Sequence, residues 1–321
     1  MVSIVGNAKN AGKTTVLNEV IKHKNERLMI TSIGLDGEEI DQVTFLEKPQ
    51  VYVRKNDIIA TAKDCLQQCL ASFSFVQETS IQTAIGPVVI CEVDQPGKVL
   101  IAGPSTVDDM DRLIQELASK YRHQILIDGA FSRQSFARIS ETTIFVIGAN
   151  ASIDIHQTVE EAYYAYRKLT LPKVDIDVLM HQNKNHIVLF NEQGAIDLGF
   201  DTLLGNEVDV FKSITDHTKW LYIPKSLTDE FINRWINHYD RYRFDIIVQS
   251  SVNIQLSNQN LSHLFKMNCG VFVLHPINVS KVCVNPFSPR GYNYDGLQFK
   301  EMISERLGVK AINVKEVDKD E

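Results

Sequence analysis

Gly6-Asn7-Ala8-Lys9-Asn10-Ala11-Gly12-Lys13-Thr14-Thr15 places a glycine-bearing turn, a lysine and two hydroxyls in ten consecutive residues. The chemistry those types can do together is the holding of a polyphosphate. Backbone N–H groups of a tight loop and of a first helical turn bind anions at low organisational cost, and the helix N-terminus adds partial positive charge. In this reading Gly12 lets the backbone pass close to a phosphate, Lys13 reaches the β- and γ-phosphates as a catalytic cation, and the Thr14 hydroxyl ligates Mg²⁺. Asn7, Lys9, Asn10, Ala11 and Thr15 complete the expected nucleotide-binding set. The pattern GxxxxGK[ST] asks for glycine five residues before Gly12, where Asn7 stands, and Gly6 lies one residue further back. Asn tolerates positive φ better than most residues, so Asn7 is expected to serve as the turn residue.

Such a loop needs a metal-organising carboxylate at the end of another buried strand. Gln124-Ile125-Leu126-Ile127-Asp128-Gly129 runs three apolar residues into an Asp, which makes Asp128 the expected second Mg²⁺ ligand. A further acid, Asp36, follows the apolar run Leu28–Ile33 in Gly34-Leu35-Asp36-Gly37-Glu38-Glu39. Loops at the carboxyl ends of parallel strands supply ligand groups. Asp36, with Glu38 as second choice, is therefore expected either to hold a metal-bound water or to orient the attacking water. The alternative for this stretch is a solvated acidic turn.

Guanine is commonly read by the Asp of an NKxD motif after a late strand. Here Asn183-Lys184-Asn185-His186 follows the apolar run Val174–Met180, and His186 stands where the Asp would be. An imidazole cannot accept the paired N–H donors of guanine as a carboxylate does. ATP is the expected nucleotide, with GTP as the alternative.

The elements that must position these groups follow from apolar spacing. Met1–Val5 is a strand, and Val16, Leu17, Val20 and Ile21 mark the helix after the loop. Residues 42–104 read as a partly antiparallel insertion, with strands at Val51–Val53, Val88–Ile90 and Val99–Ile101 and a helix over Ala60–Ala71. A helix over 106–120 with a Ser105/Asp108 cap, the Asp128 strand, a strand at Ile144–Gly148 and a helix over Ser152–Leu169 continue a β/α rhythm. That rhythm predicts an α/β fold, a doubly wound and mostly parallel sheet of the P-loop type. The expected division is a nucleotide-binding domain over 1–170 and a second α/β domain over 171–321 that binds partner or substrate. Asn285-Pro286-Phe287-Ser288-Pro289-Arg290-Gly291-Tyr292-Asn293-Tyr294-Asp295 is a rigid, aromatic loop before the last helix. It is read either as a recognition element or as a packed connection.

Composition limits the function classes. Hydrophobic content of 44% and charged content of 23% are those of a globular chain. A net charge of −7 argues against electrostatically driven nucleic-acid binding. No apolar run approaches the about 20 residues of a membrane span, and the opening strand is not a signal peptide, so a cytoplasmic location is expected. Cys65 and Cys69 lack the spacing and companions of a zinc site, and the five cysteines read as reduced thiols.

The loop Ala8-Lys9-Asn10-Ala11-Gly12-Lys13-Thr14-Thr15 is similar to that of MobB-type proteins of molybdopterin cofactor synthesis, in the P-loop branch that also holds dethiobiotin synthetase. That likeness implies phosphate and Mg²⁺ roles for Lys13, Thr14 and Asp128. Over a longer span, Gly34-Leu35-Asp36-Gly37-Glu38, Ala102-Gly103-Pro104-Ser105-Thr106, Ile127-Asp128-Gly129-Ala130 and Val284-Asn285-Pro286-Phe287-Ser288-Pro289 resemble the P-loop subunit of the reactivases of cobalamin-dependent lysine and ornithine aminomutases. That family implies an ATPase that exchanges damaged cobalamin from a client enzyme, with a second reactivase subunit as partner. A homodimer is the other assembly considered; nucleic acid and membrane are not expected partners. The competing functions are an ATP-dependent small-molecule ligase or kinase of the dethiobiotin-synthetase kind, a MobB-like GTP-binding assembly protein and a non-catalytic adaptor.

Overall fold

Strands and helices alternate from the first residues. The computed structural model describes residues 1–34, 50–129, 140–174, 185–238, 242–267 and 270–314. In chain order the elements are β1 (Val2–Gly6), α1 (Lys13–His23), β2 (Leu28–Ser32), β3 (Val51–Val53), β4 (Ile58–Ala62), β5 (Ser72–Thr83), β6 (Gly86–Gln95), β7 (Gly97–Val99), α2 (Val107–Lys120), β8 (Gln124–Asp128), β9 (Thr142–Gly148) and α3 (Ile155–Leu169). There follow β10 (Val188–Asn191), β11 (Gly194–Asp197), α4 (Glu207–Ser213), β12 (Trp220–Ile223), β13 (Leu227–Thr228), α5 (Asp229–Ile236), β14 (Asp245–Val248), β15 (Ile254–Gln255), α6 (Asn258–Lys266) and β16 (Val271–Val273). The chain closes with β17 (Val279–Asn285), α7 (Gly296–Leu307) and β18 (Ala311–Asn313).

The first unit, Met1–Tyr163 with Asn278–Glu321, is built on a nine-stranded sheet of order β18-β17-β9-β1-β8-β2-β4-β6-β5. From β18 to β4 every pairing is parallel, and β6 and β5 extend the sheet antiparallel. Alternate strand residues face opposite sides, and the two sides carry different helices. Ile4, Ile30 and Leu126 pack with Val16, Leu17 and Ile21 of α1. Met29, Ile125 and Ile127 pack with Met110, Leu113 and Leu117 of α2. Each fully buried aliphatic side chain of these faces contributes about 1.5–3 kcal/mol of transfer free energy. The chain leaves β1 for β2 on one side and leaves β8 for β9 on the other, so its direction along the sheet reverses around β1 and β8.

Three expectations about elements need correction. Residues 60–71 are not one helix: Ile58–Ala62 is a strand buried along its whole length, and a short 3₁₀ helix covers Lys63–Gln68. Burial between β2 and β6 outweighs the helical propensity of the alanines there. α2 is capped by Thr106, whose hydroxyl accepts from Asp109 N–H at 3.2 Å, and not by Ser105 with Asp108. The twelve-residue β5 has no counterpart among the expected strands.

The second unit, Tyr164–Ile277, has a five-stranded sheet of order β11-β10-β12-β14-β16, with β12, β14 and β16 parallel and β10 antiparallel to both its neighbours. Its core centres on Trp235, which stacks on Phe244 at 4.5 Å between ring centroids and donates its indole N–H to Tyr242 O at 2.8 Å. Residues 278–321, placed with the second domain by element spacing, belong instead to the first unit. β17 pairs with β9 over Val279–Asn285, and β18 pairs with β17. Among the described residues no helix is long and apolar enough to cross a membrane.

Candidate functional site

The Gly-Lys-Thr-Thr loop sits at the carboxyl edge of the nine-stranded sheet, where the ends of β1, β8, β9 and β17 lie side by side. β1 ends at Gly6, and α1 begins at Lys13. Gly12 is the N-cap in a left-handed conformation, φ 100° and ψ 20°, with no side-chain acceptor for the first helical turn. The first helical backbone bond is Val16 N–H to Gly12 O at 3.0 Å. N–H groups ahead of that point have no acceptor within the helix and face the loop. A left-handed residue followed by helical ones makes the concave row of N–H groups that binds anions.

The turn is made by a different residue from the one expected. Among the described residues the non-glycine positions with positive φ are Asn10, at 60°, and Asn56, so Asn7 does not use that conformation. Instead the Asn7 side-chain carbonyl accepts from Gly148 N–H at 3.0 Å, while Asn7 N–H donates to Val146 O at 2.9 Å. Asn7 thus fastens the loop to β9, and Gly6 supplies the close approach. A Cβ on Gly6 would lie 3.1 Å from Ala11 Cβ and 3.2 Å from Lys13 Cγ, so the lysine stem folds over the strand end.

Asp128 is where the reading of the sequence put it. It ends β8, opposite Ile4 on one side and Ser32 on the other. The Thr14 hydroxyl donates to Asp128 Oδ2 at 3.2 Å. Two hard oxygen donors in hydrogen-bond reach, beside a row of backbone N–H groups, fit Mg²⁺, which takes one or two protein oxygens and completes its shell with waters and phosphates. Among the described residues no group of three or more His, Cys, Asp or Glu side chains gathers elsewhere to hold a metal. The half-buried Cys69 has its Sγ 3.2 Å from Cys65 O.

Lys9, Asn10, Ala11 and Thr15 line the same loop and first turn; Ala11 is fully buried and Lys9 exposed. Asp36 with Glu38, the Asn183-Lys184 pair and most of the Val174–Met180 run lie outside the described residues. His186 belongs to the second unit, where its Nδ1 meets both Asp197 carboxylate oxygens at 3.0 Å.

Three residues absent from the expected set complete the wall of the loop. Gly148 lies so close that a Cβ there would fall 2.5 Å from Ala11 Cα. Asn150 is 7% exposed and donates its amide to Lys9 O, while its Oδ1 has no hydrogen-bond partner among the described residues. Asn285 ends β17 opposite Gly148, and its side chain lies against Gly12. The signal for Gly148 and Asn150 was a glycine closing an apolar strand; the approach of Asn285 has none in the sequence. Compared with protein-family models, with curated proteins and with solved structures, the chain matches none.

Proposed function

We propose that the chain is a Mg²⁺-dependent nucleotide-binding protein of the P-loop type that hydrolyses ATP to remodel or reactivate a client enzyme. The observation that carries the nucleotide reading is the Thr14–Asp128 contact at 3.2 Å beside a left-handed Gly12 at the start of α1. It joins the two Mg²⁺-ligand types required of such a site, Thr14 in the first turn of α1 and Asp128 at the end of β8, the strand beside β1. In this reading the N–H groups of the loop and first turn hold the phosphates, and Lys13 neutralises the β- and γ-oxygens. Thr14 and Asp128 hold Mg²⁺, which when bound supplies charge for the leaving phosphate. Asn7 and Asn150 fix the loop against β9, so the donors are organised before ligand arrives. Asp36 remains the proposed group for water.

The client is proposed on the likeness of residues 34–38, 102–106, 127–130 and 284–289 to the reactivase P-loop subunit. A cobalamin-dependent aminomutase and a second reactivase subunit are then the partners. ATP is preferred over GTP because no Asp completes the Asn183-Lys184 motif. The test is phosphate release from Mg-ATP by the purified chain, alone and with such a mutase and its partner subunit. Slow turnover that accelerates with the protein partners supports the reading. Turnover driven by a metabolite without any protein partner replaces it with a ligase or kinase.

A further inference from the structure

Gly12 is held from outside its own loop. An ideal Cβ on Gly12 would lie 2.6 Å from Asn285 Nδ2, 3.0 Å from its Cγ and 3.1 Å from its Cβ, so the whole Asn285 side chain stands against the Gly12 backbone. Asn285 cannot retreat easily. It is 9% exposed, and its backbone lies opposite Gly148 in the sheet. Its Oδ1 accepts from Phe287 N–H at 3.3 Å, an Asx turn that opens the following loop. That loop is itself tied down: Tyr294 N–H donates to Pro286 O at 2.9 Å, and the Tyr292 hydroxyl lies 2.8 Å from Ala149 O. The wall behind Gly12 therefore consists of a short side chain with a fixed base.

A loop capped by glycine gains little by staying ordered. A left-handed N-cap carries no intrinsic stability, since Gly is free to adopt many other conformations. Something must select the one conformation in which the first N–H groups of α1 point at a common spot. We propose that Asn285 is a positioning residue for nucleotide binding that acts through Gly12, holding it left-handed so that these N–H groups face the phosphates. The inference rests on the phosphate-site reading above and adds a residue from the far end of the chain to that site.

The test is a double-mutant cycle between Asn285→Ala and Gly12→Ala, read as Mg-ATP affinity by isothermal titration, with thermal unfolding in the absence of nucleotide as the folding control. Asn285→Ala is expected to weaken Mg-ATP binding about tenfold, the size of one lost organising contact. Gly12→Ala should weaken it more, because its new Cβ both strains the backbone and strikes Asn285. The distinguishing result is the double variant: removing the Asn285 amide relieves the two closest contacts, at 2.6 and 3.0 Å, and leaves only Cβ at 3.1 Å, so it binds Mg-ATP more tightly than Gly12→Ala alone. A residue that acted independently of Gly12 would give multiplying losses. Asn285→Ser, which keeps a γ oxygen near Phe287 N–H but lacks the amide nitrogen nearest Gly12, takes the place of the alanine variant should that one not fold. Wild-type affinity in the Asn285 variant, or a double variant no better than Gly12→Ala, overturns the inference and leaves the phosphate site standing. Absence of Mg-ATP and Mg-GTP binding by the unaltered chain overturns both.

Discussion

Gly148→Ala adds one methyl group and removes no polar atom, yet it should disable the site. The new Cβ would fall 2.5 Å from Ala11 Cα, 2.8 Å from Ala11 O and 2.5 Å from Asn150 Oδ1. Two of these atoms are backbone, and Ala11 is fully buried, so no rotamer change makes room. Restoring ordinary contact at about 3.5 Å requires a shift of about 1 Å between β9 and the loop. Overpacking of this kind costs about 1–3 kcal/mol, which for a unit of this size lowers Tm by about 2–12 °C. Borne by the loop in its binding conformation, a cost of about 1–3 kcal/mol corresponds to roughly 10- to 100-fold in affinity. Mg-ATP affinity should therefore fall by about 10- to 100-fold while the chain stays folded. Differential scanning fluorimetry and isothermal titration on the same preparation measure both. Gly205→Ala is the control: φ is +79° with nothing within 4 Å of the added Cβ, so it costs about 1–2 kcal/mol of backbone strain and leaves affinity unchanged. If Gly148→Ala kept wild-type affinity and Tm, β9 would not be the wall of the loop.

Lys13→Ala should abolish Mg-ATP binding or turnover, because the phosphates lose their point charge; unchanged affinity and hydrolysis in that variant would refute the assignment. Asp128→Asn keeps the volume and the strand but weakens a Mg²⁺ ligand, so turnover should need more Mg²⁺; full activity at limiting Mg²⁺ would point to another carboxylate. Burial pushes the Cys91 and Cys283 thiols up to about 12. A raised folded value means both hold their protons where the unfolded chain, near about 8.5, releases them. Their contribution to stability is then complete below that pH and is lost as pH rises toward the folded value. Chemical denaturation at pH 8 and pH 10 should show lower stability at the higher pH. Thiol reagents at pH 8 should label these two residues only in denaturant, and rapid labelling of the native chain would contradict their burial.

The placement of the loop, of α1 and of Asp128 was legible because these parts are contiguous or strand-terminal. The Gly12-Lys13-Thr14 run precedes a helix with Val16, Leu17 and Ile21 inward, and Asp128 closes an apolar run whose burial on both faces is what parallel strands require. The conformations within the loop were not legible. Asn7 and Asn10 are the same residue type; tertiary pairing with β9 decided that Asn10 takes positive φ and Asn7 binds Gly148. The second layer was hidden for a different reason. Asn285 and Gly12 are distant in sequence, and they meet only because β17 returns to pair with β9. That same return is why the element rhythm assigned 278–321 to the wrong unit: short β/α repeats look alike whichever sheet they join. β5 was missed because its alternating polar residues, Ser72 to Thr83, belong to the sheet edge and carry little apolar signal.

We propose that the loop ahead of Lys13 holds a nucleoside triphosphate with Mg²⁺. Isothermal titration of the unaltered chain with ATP, in the presence and absence of Mg²⁺, tests it most directly. Saturable binding at a single site, strengthened by Mg²⁺ and lost in Lys13→Ala, is the expected result. No binding of ATP or GTP under either condition would contradict it.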